Sequence, residues 1–115
     1  MHNFEQIIED FVKESRVDYV GLWQLLNAVQ HQLGITDEME IRSTTLEIIK
    51  GLLSHGLEAV DLTSDGGFKP WAEMECGQVI SRIEKEWNGL GREPNIGDIC
   101  WFSNRNQTPK GSASH

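Results

Sequence analysis

Residues 38–71, EMEIRSTTLEIIKGLLSHGLEAVDLTSDGGFKPW, carry two periods back to back, and the change from one to the other decides the fold. In the first part Ile41, Thr45, Ile48 and Leu52 recur at three- and four-residue spacing, with Leu46, Ile49 and Leu53 in a second row. That is the wide apolar stripe of a helix packed on a core. Thr36 is placed to cap the first turn, Asp37 and Glu38 put acids at the positive end of the helix dipole, and Gly56 after Ser54 and His55 supplies a left-handed stop. Leu57 to Leu62 then offers β-branched and apolar residues, Thr63 to Gly67 is dense in turn formers, and Phe68 to Trp71 can return. The stretch therefore predicts a helix over 37–55 and a β-hairpin with strands at 57–62 and 67–71. Pro70 cannot donate to a ladder, which places the return strand on an edge.

Working outward, Phe4, Ile7, Ile8, Phe11 and Val12 share one side of a helix over 3–15 that Asn3 can cap. Val20, Trp23, Leu26, Val29 and Leu33, with Leu22 and Leu25 beside them, predict a second helix over 19–33, capped by Asp18 and stopped by Gly34. Cys76, Val79, Ile80, Ile83, Trp87 and Leu90 form the stripe of a last helix over 75–90, ended by Gly89, Gly91 and Pro94. The run IGDICWF, residues 96–102, is either a strand or a tight turn laid across the core, and its aromatic and β-branched content favours the strand.

Helices before a hairpin, one of them entering the first strand directly, is the order of a small winged-helix-like α+β domain with about four helices. The alternative is an α+β helical bundle in which the hairpin is a surface flap. At 115 residues and 13.0 kDa there is one domain, expected over 1–102. Residues 103–115 form a polar tail whose end, GSASH, reads as an appended expression scar.

Charge is distributed unevenly. Through Asp65 there are 12 acids and four bases, against 18 and 10 in the whole chain, so the first part holds all of the net −8. Such a surface repels a phosphate backbone and suits either solvation or a basic partner. The would-be recognition helix sets Arg42 and Lys50 against Glu38, Glu40 and Glu47, which weighs against duplex binding. No stretch has the length and apolarity of a membrane span and the first residues lack the character of a secretory signal, so the cytoplasm is expected.

No catalytic set is legible. His2, His31, His55 and His115 stand far apart, and none pairs with a cysteine at metal-ligand spacing; His55 is explained by its place at a helix C-terminus. No cofactor or metal is expected, and Gly66–Gly67 is a turn, not a phosphate loop. Cys76 and Cys100 read as reduced core residues, with a disulfide as the alternative. Trp23 and Trp87 fall on apolar stripes and are expected in the core, whereas Trp71 and Trp101 are undetermined. The hairpin is the candidate partner-binding surface: Glu58, Asp61 and Asp65 supply acids close to Phe68 and Trp71, either of which could be an aromatic anchor. The competing surface is the acidic first helix, with Glu5, Glu9, Asp10 and Glu14.

GFKPW at 67–71 and IEKEWNGLGREPNIGDICWF at 83–102 resemble, in the spacing of Trp87, Leu90, Gly91, Arg92, Pro94, Gly97, Asp98, Trp101 and Phe102, the immunity proteins encoded beside toxins of bacterial contact-dependent growth inhibition systems. The resemblance spans roughly residues 17–102. It implies a non-catalytic protein that binds and blocks a cognate nuclease toxin domain, often a tRNA-cleaving RNase, in the producing cell. The expected partner is thus a protein and not nucleic acid or membrane, with the chain a monomer or weak dimer. The alternatives are a winged-helix transcriptional regulator and a protein-interaction module of another kind.

Overall fold

In a computed structural model, which describes residues 4–72, 75–95 and 98–104, the chain runs α1 (Phe4–Ser15), β1 (Val20–Gly21), α2 (Leu22–His31), α3 (Glu38–Ser54), β2 (Leu57–Leu62), β3 (Phe68–Pro70), α4 (Cys76–Leu90) and β4 (Trp101–Asn104). The four strands form one antiparallel sheet in the order β1-β4-β2-β3. The fold is therefore α+β, and the order α1-β1-α2-α3-β2-β3 is compatible with a winged-helix domain. The addition is α4 followed by β4, which takes the central place between β1 and β2.

The helix α3 is the hub, in contact with α1, α2, α4 and β2. Its Ile41, Thr45, Leu46, Ile48, Ile49 and Leu52 are buried, as the stripe predicts. Its cap is Asp37 and not Thr36: the Asp37 carboxylate accepts from the Glu40 N–H at 2.9 Å. At the other end Gly56 takes φ +94, a conformation costly for a residue with a Cβ, and releases the chain into β2. Thr45 has no exposed surface, and its Oγ1 finds no hydrogen-bonding partner among the described residues. A buried hydroxyl left unpaired costs about 1–2 kcal/mol. Thr45→Val, which keeps the shape and removes that hydroxyl, should raise the melting temperature by roughly 5 °C in a thermal scan.

The second helix begins later than its period suggests. Residues 20 and 21 are not helical but form β1, with Val20 opposite Phe102 and Gly21 opposite Trp101. Asp18 accepts from the Tyr19 N–H and caps no helix. Instead Gln24 reaches back so that its Oε1 accepts from the Gly21 N–H at 2.6 Å. The face of α2 turns accordingly. Leu22, Leu25, Leu26, Ala28 and Val29 are buried, while Trp23, expected in the core, is only half-buried.

The hairpin and α4 follow the sequence expectation closely, and β3 lies on the sheet edge as Pro70 requires. Val79, Ile80, Ile83 and Trp87 are buried on α4. Cys76, expected in the core with Cys100, is exposed at the first position of α4, at the rim of a hollow it shares with Lys50 and Leu53 of α3; Cys100 is buried, which pushes its thiol pKa well up. Both thiols are free.

The strand expected at 96–102 is shifted toward the C-terminus. Its first two positions, and the expected cap Asn3, lie outside the described residues, as do His2, His115 and positions 105–115. Positions 98–100 bend, with Ile99 at φ +66, and the ladder starts at Trp101. It continues past Phe102 through Ser103 and Asn104, both buried. Asn104 Nδ2 donates to Ser15 Oγ at 3.1 Å, and that hydroxyl donates to the Val12 carbonyl at 2.6 Å, tying α1 to β4.

Several residues of the resembling motif build the connection from α4 to β4. Arg92 Nη1 donates to Asp98 Oδ2 at 2.7 Å, and the same oxygen accepts from the Asn95 N–H at 2.7 Å. The Arg92 hydrogen bond, helped by that N–H, holds the Asp98 carboxyl below the usual carboxylate range. Buried Pro94 lies within this loop and Phe102 at its far end, so the spacing is accounted for by the turn it makes.

Candidate interaction surface

Register and strand alternation divide the hairpin residues between two faces of the sheet. Leu57, Ala59, Phe102 and Val20 point into the core backed by the helices. Asp61 and Trp71 belong to that side: Trp71 Nε1 donates to Asp61 Oδ1 at 3.2 Å. The Arg82 guanidinium of α4 stacks 3.7 Å from the Trp71 ring centroid. Trp71 is 5% exposed and part of the core, which removes it as an exposed anchor. The Arg82 side chain, reaching from α4, covers one face of the indole.

The opposite, outer face carries Gly21 of β1, Trp101 and Ser103 of β4, Glu58, Val60 and Leu62 of β2, and Phe68 and Pro70 of β3. Phe68 and Glu58, two of the residues singled out from the sequence, lie on this face. Phe68 is 42% exposed and stands opposite Leu62, itself 40% exposed, and Glu58 is half-buried on the same face. Asp65 sits at the tip, exposed, accepting from the Thr63 hydroxyl and from the Gly67 N–H. These two bonds, the hydroxyl first, hold its carboxyl below the ordinary range. The turn's charged acceptor is thus in place at neutral pH and is lost only in acid, as pH falls through that lowered value. Of the five residues singled out by sequence, Glu58, Asp65 and Phe68 share the outer side and tip, and Asp61 and Trp71 form a separate pair.

Three aromatic residues that sequence reading did not assign to this surface join it. The Tyr19 ring meets the Phe68 ring edge-on at 5.8 Å between centroids. Trp23 lies over Gly21, where an added Cβ would come within 2.7 Å of the indole and 3.1 Å of the Trp101 ring. Gly21 is what lets the two tryptophans close over β1. The available signal was the pair Gly21–Trp23 itself: a glycine two residues before a large aromatic marks close backbone approach.

Family models, characterised proteins and solved structures compared with the chain give no match. The site therefore rests on its own geometry. A second concavity, a groove of about 670 Å³ between α3 and α4, was also not singled out by sequence. Its floor is Ile41, Leu46 and Trp87, with Arg42 4.9 Å above the Trp87 ring and bonded to Asn88 Oδ1 at 2.6 Å; Met39, 81% exposed, stands at its lip. Among the described residues no group of three or more His, Cys, Asp or Glu side chains could hold a metal ion, and no helix is long and apolar enough to cross a membrane.

Proposed function

We propose that this chain is an immunity protein that binds and neutralises the nuclease domain of a cognate toxin, without turnover of its own, in the cytoplasm of the producing bacterium. The observation that carries the reading is the hairpin, where Glu58 and Asp65 lie with exposed Phe68 and Leu62 on a chain of net charge −8. Acids draw in the basic cleft of a nuclease and set the encounter rate, while apolar side chains slow its release. The resemblance over residues 17–102 points the same way.

The compatible winged-helix order favours a second reading, a duplex-binding regulator. Against it, the exposed charged positions of α3 are Glu38, Glu40, Glu47 and Lys50, and Lys50 is held by Glu47 at 2.7 Å. Little of that surface can replace phosphate counterions. One experiment separates the readings: mix the purified chain with the C-terminal domain of the protein encoded by the gene immediately upstream and follow RNA cleavage. Stoichiometric inhibition, with association slowed at least tenfold between low and high salt, is expected. Undiminished cleavage, together with a salt-sensitive gel shift of duplex DNA, would reverse the choice.

A further inference from the structure

We infer that the outer face of the sheet, from Tyr19 and Trp23 across Trp101 to Leu62 and Phe68, is the docking surface for a basic protein partner. The inference rests on the toxin-binding reading above and adds to it the location of the contact and the chemistry it accepts.

The helices occupy the other side of the sheet. The inward residues of β1, β2 and β4 belong to the helix-backed core, whereas Val60, on the outer face and with no exposed surface, stands outside it. The register sets Val60 between Trp101 and Pro70 and next to the Leu62–Phe68 pair. The outer face is thus a small apolar cluster of its own. Four large apolar side chains are exposed among the described residues, and Leu62 and Phe68 are two of them, directly opposite each other. Around them Tyr19, Trp23 and Trp101 are already held, by the edge-on contact with Phe68 and by the close approach over Gly21. Rigid aromatics lose little freedom on binding, which is why such groups dominate interface energetics.

The edge of the sheet is not the contact. The Thr63 N–H bonds the Gly67 carbonyl and the Trp71 N–H bonds the Ala59 carbonyl, so the backbone groups of Phe68 and Pro70 are those turned away from β2. Pro70 has no N–H to offer there, which closes that edge to an added strand. Side chains of the face must make the interaction.

Charge selects the occupant. Glu58 lies on the face, Asp65 at the hairpin tip and Asp18 directly before Tyr19, while Glu14 accepts from Gln24, the residue that reaches back to Gly21. Among the described residues, bases close in the chain to these acids include Arg16, at the Asp18 end, and Lys69, which the register places opposite Asp61 on the other side of the sheet. A second copy docked face to face would bring these acids against themselves, since an isologous contact repeats the same patch. A basic surface meets them with opposite charge.

The test uses the intact chain and the upstream-encoded toxin domain carrying an inactivating substitution. Leu62→Ser with Phe68→Ser, both exposed positions, should weaken binding at least 30-fold, mainly through faster dissociation, with melting unchanged within a few degrees. Met39→Ser at the α3–α4 groove should leave affinity unchanged. Acrylamide quenching of Trp23 and Trp101 should fall on complex formation in the wild-type chain. If the wild-type chain binds but the double variant binds equally well and Met39→Ser does not, the docking surface is the groove and this inference alone is overturned. If the wild-type chain does not bind that domain, the toxin reading falls and this inference with it. Self-association abolished by the double variant would overturn the choice of a basic partner.

Discussion

Phe102→Ala should cost about 3–5 kcal/mol and lower the melting temperature by roughly 15–20 °C, the range for truncating a fully buried aromatic in a domain of this size. Phe102 has no exposed surface and sits on the central strand, opposite Val20 on one side and Ala59 on the other. Its ring fills the space between the sheet and the helices, and both neighbouring strands depend on β4 for their ladders. Removing it leaves a cavity where three strands meet. Since a small domain has only about 5–15 kcal/mol in hand, the variant should be partly unfolded at 37 °C. Phe102→Leu, which keeps most of the volume, should lose less than half as much, and a melt of the two variants side by side checks the argument.

The part of this fold that was legible in the sequence is the part with a repeating signal. The stripes of α1, α3 and α4 span three or more turns each, and the hairpin between Leu57 and Pro70 announces itself through its turn formers and its proline. β1 was not legible because it is two residues long and its partner is β4, some 80 positions away. Val20 and Trp23 stand three apart, so helical spacing absorbed them into α2. Period cannot distinguish a helix from a strand that leads into one. The same limit misplaced Trp23, and nothing local placed Trp71, a candidate exposed anchor. Trp23 belongs to a helix by spacing, but its ring leaves the core side to cover Gly21, and Trp71 follows a proline in an edge strand yet is buried, with the Arg82 guanidinium over its ring. Cys76 shows the converse: it lies on the α4 stripe, but at the first position of the helix, where it is exposed at the rim of a hollow shared with Lys50 and Leu53 of α3. Of the surface, Glu58, Asp65 and Phe68 could be named from the hairpin alone, but Asp61 turns to the other side with Trp71, and Tyr19, Trp23 and Trp101 needed the sheet order that brings distant segments to one face.

Trp71→Ala should destabilise the protein by about 3–5 kcal/mol, and Trp23→Ala by clearly less, because only the first indole lies in the helix-backed core. Three interactions go with the Trp71 ring: its burial, the stacked Arg82 guanidinium and the bond from Nε1 to Asp61. Trp71→Phe keeps most of the first two and deletes the third, so it isolates the hydrogen bond, worth about 1 kcal/mol net, or more with an ionised acceptor. The comparison also decides how charge reversal on the hairpin is to be read. Asp61→Lys removes the acceptor of a nearly buried indole and sets a second cation beside Arg82, so any loss of toxin binding in that variant mixes folding with steering. Trp23→Ala has the opposite signature. Its ring lies on the outer face over Gly21 and beside Trp101, so its truncation should spare most of the stability and impair capture of a basic partner. Chemical denaturation together with binding kinetics on the three tryptophan variants checks both halves. Equal destabilisation by Trp23→Ala and Trp71→Ala would mean that the outer cluster is part of the core and not a surface held ready for a partner.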